Sequence, residues 1–207
     1  MKNLLVINGH PDPRPERFCG ALSHAYELGA NAGGWETRRL NVGDLALSSI
    51  EAMSNGEGPD ADVLNALGDI EWSNRMAIIF PLWFDQPPDT LRVLFEYIDG
   101  TIPGDGVERR RAHVIVTMEM PAFAYRSMLR PGTPKMITDL AIPGVVPDKP
   151  VLIGCVNTIT REQRCRWLET VRGYGERSSY GTTAAPSRSL AFASMIDRTV
   201  TQWWSGN

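Results

Sequence analysis

The sequence predicts a doubly wound α/β fold, in which helices cover both faces of a parallel sheet of five strands. Short apolar runs without polar alternation recur along the chain, and such runs are typical of strands that are buried on both faces. Stretches with the apolar spacing of amphipathic helices lie between these runs. Because strands and helices alternate, we expect crossover connections and a parallel sheet, and five strands favour the order 2-1-3-4-5.

The individual elements follow from the same patterns. Five segments are predicted as strands: residues 4–7, 37–42, 76–80, 113–117 and 151–154. The second of these alternates polar and apolar residues, as an edge strand does. Four segments are predicted as helices: residues 18–30, 61–72, 88–98 and 161–174. The last helix begins after Thr160, and Gln163 lies at the spacing of a capping box.

The chain divides into one domain and a short extension. Residues 1–175 contain all of the predicted strands and the four helices, and they form the predicted domain. Residues 176–207 begin with a stretch rich in Ser, Thr, Ala and Pro, which is typical of a linker. An aromatic amphipathic helix is predicted at residues 190–204, and we expect it to pack on the domain or on a dimer partner.

The composition argues against several classes of protein. The chain has 207 residues with 21 basic and 24 acidic side chains and no basic block, so we expect no binding to nucleic acid. Its three cysteines, Cys19, Cys155 and Cys165, lack the spacing of a disulfide framework or a zinc site. No apolar run reaches the roughly 20 residues of a membrane span, and the chain does not begin with a signal-peptide pattern. These features predict a cytoplasmic protein.

The loops that follow the first, third and fourth strands have unusual compositions, and ligands of doubly wound folds bind at that edge of the sheet. The first of these loops, residues 8–18, contains His10 and Arg17 and opens a helix, so it can bind a phosphate. A hydrogen-bonded loop histidine and a solvated arginine would give the same pattern. The chain has no P-loop, no G-x-G-x-x-G and no G-x-S-x-G motif, which argues against a nucleoside triphosphatase and a hydrolase.

The other two loops carry aromatic side chains. Trp83 and Phe84 follow a buried strand in a loop with three prolines, where a flat aromatic ligand would cover them. Packing beneath the next helix is an equal alternative for both. Tyr125, after the fourth strand, can donate a hydrogen bond to a developing anion, but a tyrosine with a buried ring and a hydrated hydroxyl group also fits this position.

Three motifs together resemble the NAD(P)H:quinone oxidoreductases of the flavodoxin-like fold, over roughly residues 3–175. They are Gly9-His10-Pro11, then Phe80-Pro81-Leu82-Trp83-Phe84, and then Thr117-Met118 with Pro121 and Tyr125. The segment 151–167 also fits the family pattern, but we expect it to carry no chemistry. The resemblance implies a non-covalently bound flavin, FAD or FMN with FAD favoured, and NAD(P)H as the co-substrate. It also implies a homodimer and two-electron, ping-pong reduction of a quinone-like acceptor. Flavoprotein ancillary subunits belong to the same family, so a regulatory subunit with incidental reductase activity is the alternative.

The resemblance also implies the residues of the flavin site. Tyr125 is the expected catalytic residue, because it aligns with a tyrosine that stabilises charge on the reduced flavin. The expected cofactor contacts are His10, Arg17, Phe18, Cys19, Pro81, Leu82, Trp83, Phe84, Thr117, Met118 and Glu119.

Three of the departures from the family pattern change this expectation at the flavin site and the substrate pocket. Arg17-Phe18-Cys19 replaces the usual Ser-Phe-Asn, so we expect Arg17 to take over a phosphate contact. Glu119 stands where glycine is common, and a carboxylate there disfavours extra negative charge on the flavin. The segment 99–111 is short, which removes an aromatic wall of the substrate pocket. We expect the helix at residues 190–204 to replace that wall.

Overall fold

The protein is described as a computed structural model for residues 2–45, 55, 60–83, 86–101, 110–128 and 145–178; for 99–101 and 126–128 only the backbone is described. Phe84, most of the short segment 99–111 and the helix expected at residues 190–204 lie outside these ranges. The predictions that concern them stay predictions.

All of the strands in the described ranges belong to one parallel sheet. The strands are β1 (Asn3–Asn8), β2 (Glu36–Asn41), β3 (Arg75–Leu82), β4 (Arg110–Met118), β5 (Val145–Pro147) and β6 (Val151–Ile153). The order across the sheet is β2-β1-β3-β4-β5, which confirms the predicted fold class and strand order. The alternating strand β2 lies at an edge, as its pattern predicts.

The last position in the sheet is shared by two short strands instead of one. β5 pairs with the beginning of β4, at residues 110–112, and β6 pairs with its end, at residues 115–117. The sequence predicts only the second of these strands. β5 is missed because it has three residues and is largely exposed, so it carries no apolar run.

Helices cover both faces of the sheet. They are α1 (Phe18–Ala32), α2 (Ala61–Trp72), α3 (Asp89–Thr101), α4 (Ala122–Met128) and α5 (Arg161–Arg177). Side chains of α1 and α5 pack with Leu4 and Val6 on one face, and those of α2 and α3 pack with Leu5 and Ile7 on the other. The alternate residues of β1 therefore enter two different cores, which is why its sequence is apolar throughout.

Two details of the helices bear on the predictions. The capping box at the start of α5 is confirmed, because Thr160 accepts a hydrogen bond from the backbone of Gln163 and the Gln163 side chain returns one to Thr160. α4 falls in a segment that the sequence places in a loop. It is a helix of seven residues that follows Pro121, too short for an apolar period to be recognised.

α1 and α5 cross at unusually close range. A Cβ atom on Gly29 of α1 would lie 1.9 Å from the backbone oxygen of Arg172 in α5. A Cβ atom on Gly175 of α5 would lie 2.1 Å from the backbone oxygen of Tyr26 in α1. Two glycines that face opposite helices therefore allow the backbones to touch, and a larger residue at either position would force them apart.

Two kinds of structure are not found within the described ranges. No helix there is long and apolar enough to cross a membrane. The same ranges contain no group of three or more His, Cys, Asp or Glu residues arranged to hold a metal ion.

Candidate functional site

A cleft of about 290 Å³ opens at the carboxyl edge of the sheet. It lies beside the topological switch point, where β2 and β3 pair with opposite edges of β1. Four loops build it, and they follow β1, β3, β4 and β6. Its lining consists of His10, Glu16, Arg17, Phe18, Cys19, Pro81, Leu82, Trp83, Thr117, Met118, Glu119, Val156, Asn157 and Arg164. Every cofactor contact expected from the sequence is in this lining except Phe84, which lies outside the described residues.

Tyr125, the expected catalytic residue, is not in the lining of the cleft. Its side chain is only 4 % exposed and packs in the core on the α2–α3 side of the sheet. Its backbone N–H donates to the carbonyl of Pro121 at the start of α4. The catalytic role of Tyr125 therefore stays a prediction that the position of its ring does not support.

The loop of residues 9–17, after β1, is held against its neighbours at two glycines. A Cβ atom on Gly43 would lie 2.2 Å from the backbone oxygen of Pro11, so the loop rests directly on the chain that follows β2. A Cβ atom on Gly20 would lie 2.9 Å from the backbone oxygen of Arg14, so the same loop folds back on the first turn of α1. These contacts hold the backbone of the loop against its two neighbours.

Side-chain hydrogen bonds order the first part of this loop. Asn8 donates to Asn41 at 3.2 Å and accepts from the backbone N–H of His10 at 3.3 Å. His10 Nδ1 accepts from the backbone N–H of Asp12 at 2.9 Å. Burial and the nearby charge of Arg17 lower the pKa of His10. The ring is therefore neutral at neutral pH and carries its proton on Nε2, which is available as a donor.

Asp12 forms ion pairs with both arginines of the loop, Arg14 and Arg17. Its carboxylate accepts from Arg14 Nη2 at 2.6 Å and from Arg17 Nε at 2.6 Å. These charge-assisted hydrogen bonds hold the pKa of Asp12 far below its usual range. One carboxylate thus pairs with two guanidinium groups, and the three side chains together keep one positive charge.

The start of α1 faces the cleft without a cap. Residues 17–21 are all described, and among them Arg17 provides no side-chain cap and the first turn contains no acidic residue. The first N–H groups of a helix lack partners within the helix, and they carry the positive end of its dipole. Phe18 and Cys19, whose N–H groups lie in this turn, also line the cleft, so this edge of it is suited to an anion.

Cys19 connects the first turn of α1 to the end of β4. Its Sγ lies 3.3 Å from Thr117 Oγ1, and both residues are buried at the floor of the cleft. Burial raises the pKa of the Cys19 thiol to about 12. The thiol is therefore protonated at neutral pH and serves packing instead of nucleophilic chemistry.

Trp83 forms a wall of the cleft and remains exposed. Its backbone exchanges two hydrogen bonds with that of Gln86, at 2.9 and 3.0 Å. The ring meets His10 edge to face at 5.9 Å and is 45 % exposed. Of the two interpretations of this tryptophan, burial beneath the next helix is wrong, and a ring that is free to contact a ligand agrees with the structure.

The sequence misses a fourth wall, which comes from residues 156–164. Asn157 Nδ2 donates to Glu119 Oε1 at 2.7 Å across the cleft. Arg164 donates to the carbonyl of Val156 at 2.6 Å and lies 5.1 Å above the ring of Phe18. Arg164 thus bonds a backbone oxygen instead of a carboxylate, and it brings a partly buried positive charge to the anion end of the cleft. The signal was available, because this segment also follows the carboxyl end of a parallel strand.

The first comparison with known proteins concerns the sequence. The model of a family described as having a flavodoxin-like fold matches residues 2–143. The chain belongs to this family. None of the curated proteins matches the chain in sequence.

The second comparison concerns solved structures. The fold is similar to an NAD(P)H:quinone oxidoreductase from Methanothermobacter marburgensis, with 14 % identity and a TM-score of 0.62 over 88 % of this chain and 98 % of that one. It is similar to Smu.1420 from Streptococcus mutans UA159, with 16 % identity and a TM-score of 0.61 over 86 % and 100 %. It is also similar to an FMN-dependent NADH-azoreductase from Bacillus anthracis str. Ames Ancestor in complex with FMN, with 15 % identity and a TM-score of 0.52 over 86 % and 100 %. At these identities the similarity shows the fold alone.

Proposed function

We propose that this protein is an NAD(P)H-dependent flavin oxidoreductase that reduces a quinone or quinone-like acceptor by two electrons. One observation carries the proposal. Three loops that are separated in sequence, and that resemble the flavin-binding loops of quinone oxidoreductases, line a single cleft at the carboxyl edge of the sheet. The fold similarity to proteins named quinone oxidoreductase and FMN-dependent NADH-azoreductase supports the same conclusion.

The cleft fits the phosphate-bearing end of a flavin nucleotide. The uncapped first turn of α1 offers N–H groups, and Arg17 and Arg164 supply positive charge beside it. His10 is neutral and offers an Nε2–H donor to a phosphate or ribityl oxygen. Arg17, Arg164 and the N–H groups of Phe18 and Cys19 are therefore the groups that would hold the phosphate.

The other side of the cleft fits a flat ring system. Pro81, Leu82 and the exposed ring of Trp83 form an apolar wall, and the end of β4, at residues 117–118, lies next to it in the sheet. When bound there, a flavin would supply the chemistry for two-electron transfer between NAD(P)H and the acceptor. The chain would bind and orient it, and the carboxylate of Glu119, held by Asn157, would disfavour added negative charge nearby.

The proposed cofactor is FMN or FAD. The preference for FAD that the sequence suggested has no support in the comparisons, since the similar azoreductase is described with FMN. We further propose that the protein is a homodimer and that it acts in the cytoplasm. Light scattering on the eluting peak of a sizing column tests the first point, with an expected mass of twice the chain mass of 22.9 kDa.

The absorption spectrum of the purified protein tests the cofactor. Bands at about 375 and 450 nm are expected, because they belong to flavins in general. Heat release followed by chromatography would distinguish FMN from FAD. A colourless protein that binds neither FMN nor FAD on reconstitution would refute the proposal.

Steady-state turnover with NADH, NADPH and a set of quinones tests the reaction. Parallel double-reciprocal plots are expected for ping-pong transfer, in which NAD(P)+ leaves before the acceptor binds. A flavin-loaded protein that turns over slowly with every acceptor would instead support the regulatory-subunit alternative.

A further inference from the structure

We propose that Asp12 is a positioning residue, which presets Arg17 for the phosphate of the flavin by pairing with it before the ligand arrives. This inference rests on the proposed function, because it concerns the anion end of the same cleft. It assigns a role to an acidic residue in a phosphate-binding loop, where simple electrostatics would place none.

The burial of the three charged side chains indicates which of them organises the others. The Asp12 side chain is 25 % exposed, whereas those of Arg14 and Arg17 are 65 % and 49 % exposed. Long arginine side chains at such exposures lose rotamer entropy when they bind a ligand. The carboxylate, which is the shortest and most buried of the three groups, restrains both guanidinium groups in advance.

The atoms that are used in the pair leave Arg17 able to bind a second anion. Arg17 donates to Asp12 through Nε at 2.6 Å. This bond uses one of the five N–H groups of the guanidinium, and the four on the two Nη atoms are not consumed by it. Arg14 takes the larger share of the carboxylate, through Nε at 2.9 Å and Nη2 at 2.6 Å.

The backbone around Asp12 is fixed by other contacts, so its carboxylate is a stable anchor. The loop contacts Gly43 through the backbone of Pro11, before Asp12, and Gly20 through the backbone of Arg14, after Asp12. The Asp12 N–H donates to His10 Nδ1 at 2.9 Å, which sets the proton of that ring on Nε2. One residue thus fixes the donor form of His10 through its backbone and the place of Arg17 through its side chain.

The opposite role for Asp12 predicts an effect of opposite sign. If the carboxylate only competes with the ligand phosphate for Arg17, its removal should strengthen phosphate binding. If it positions Arg17, its removal should weaken phosphate binding, although a negative charge has been taken away. The sign of the effect therefore distinguishes the two roles.

The test compares FMN with riboflavin, which lacks the phosphate, on protein freed of bound flavin. The ratio of the riboflavin Kd to the FMN Kd, measured by quenching of flavin fluorescence, reports the phosphate contact alone. In Asp12→Asn we expect this ratio to fall about fivefold with the riboflavin Kd unchanged. Asp69→Asn is the matched control, because Asp69 also accepts from an arginine, Arg38 at 2.7 Å, but lies outside the cleft. It should leave both constants unchanged.

A double-mutant cycle tests whether Asp12 acts through Arg17. The double variant should have a Kd ratio within twofold of that of Arg17→Gln alone, because the guanidinium that Asp12 positions is already absent from both proteins. A merely structural role for Asp12 would reduce the ratio equally in both backgrounds and would overturn the inference. An unchanged or increased ratio in Asp12→Asn alone would overturn it as well. If wild-type protein binds neither flavin, the proposed function itself fails, and the inference fails with it.

Discussion

At its carboxyl end, β4 presents Thr117 and Met118 to an open cleft, whereas near its amino end His113 is packed between the rings of Tyr26 and Tyr174. Both ends contain a histidine, arginines and an aspartate. Among the described residues at the cleft, His10 keeps its Nε2–H donor free and Arg164 bonds a backbone carbonyl instead of a carboxylate, so charge and hydrogen-bonding capacity remain for a ligand.

At the amino end, the same residue types form hydrogen bonds with one another. Asp148 accepts from Arg75 at 2.8 Å and from Arg111 at 2.5 Å. The Tyr26 hydroxyl lies 2.8 Å from Ser178 Oγ and 3.3 Å from His113 Nδ1. Gly29 and Gly175 bring the backbones of α1 and α5 together at this end. Residue types alone therefore do not mark a site; what distinguishes the cleft is that His10 and Arg164 keep donors without a partner among the described residues.

The largest expected effect concerns the helix contact that closes the amino end. Gly29→Ala places a Cβ atom against the Arg172 carbonyl, so α1 and α5 must separate. We expect the free energy of unfolding to fall by about 3 kcal/mol, at the upper end of typical overpacking costs. Urea denaturation followed by circular dichroism measures it.

Gly68→Ala is the matched control for this substitution. Gly68 is exposed in α2, and a Cβ atom there meets nothing within 4 Å. We expect this variant to gain roughly 0.5–1 kcal/mol from helix propensity. Equal effects of the two substitutions would contradict the close crossing of α1 and α5.

The second prediction concerns the pH dependence of stability. Burial lowers the pKa of His113 to about 4; Asp148 opposes this shift, and Arg75 and Arg177 add to it. Between pH 6.5 and pH 4 the unfolded chain binds this proton more readily than the folded one. The stability that depends on a neutral His113 in the folded state is therefore fully present above pH 6.5 and is lost as the pH falls towards 4. Its upper limit is about 3 kcal/mol of unfolding free energy.

His113→Asn isolates this contribution, because Asn retains a polar atom near the position of Nδ1 but does not titrate. Denaturation of both proteins at several pH values between 4 and 7 should show a flatter dependence for the variant. Carboxylates titrate in both proteins, so their effect cancels in the difference. Parallel profiles would show that His113 is not buried as a neutral ring.

The third prediction concerns the cleft at the carboxyl edge of the sheet. Arg164→Gln removes the partly buried cation of the cleft but retains a donor toward the Val156 carbonyl. We expect the FMN Kd to rise about tenfold and the riboflavin Kd to change less, because a charge-assisted hydrogen bond to the phosphate is lost. Isothermal titration with both flavins measures this difference.

Arg166→Gln serves as its control, since Arg166 is exposed on the same helix and does not line the cleft. It carries the same charge change, so a general electrostatic effect would appear equally in both variants. Only a larger effect at Arg164 agrees with a direct contact.

The smallest expected effect concerns Thr160, which caps the start of α5. Thr160→Ala removes the side-chain cap of α5, the helix that carries Arg164, and should cost about 1 kcal/mol of unfolding free energy. Thr160→Ser keeps the hydroxyl oxygen and should be close to wild type. Thermal unfolding of the two variants checks this, and equal losses would show that the methyl group matters and not the cap.

Much of the fold could be predicted because its signals are local. The apolar runs identify the main strands, and burial on both faces follows from the absence of alternation in β1 and β3. The short strand β5 and helix α4 were missed, since three and seven residues are too few to show a period. The polar and aromatic loops after β1, β3 and β4 were recognised by composition, and the rule for parallel sheets places them at one edge.

The sequence by itself determined the class of fold, the strand order and three of the four walls of the cleft, because these depend on periodicity and on a general rule of topology. Only the tertiary structure decided that Asp12 pairs with Arg17, that Asn157 and Arg164 complete the cleft, and that Tyr125 turns into the core. Such contacts depend on distances between segments far apart in the chain. Those distances are fixed by close backbone contacts such as that between Gly43 and Pro11, and no local pattern of residues predicts such a contact.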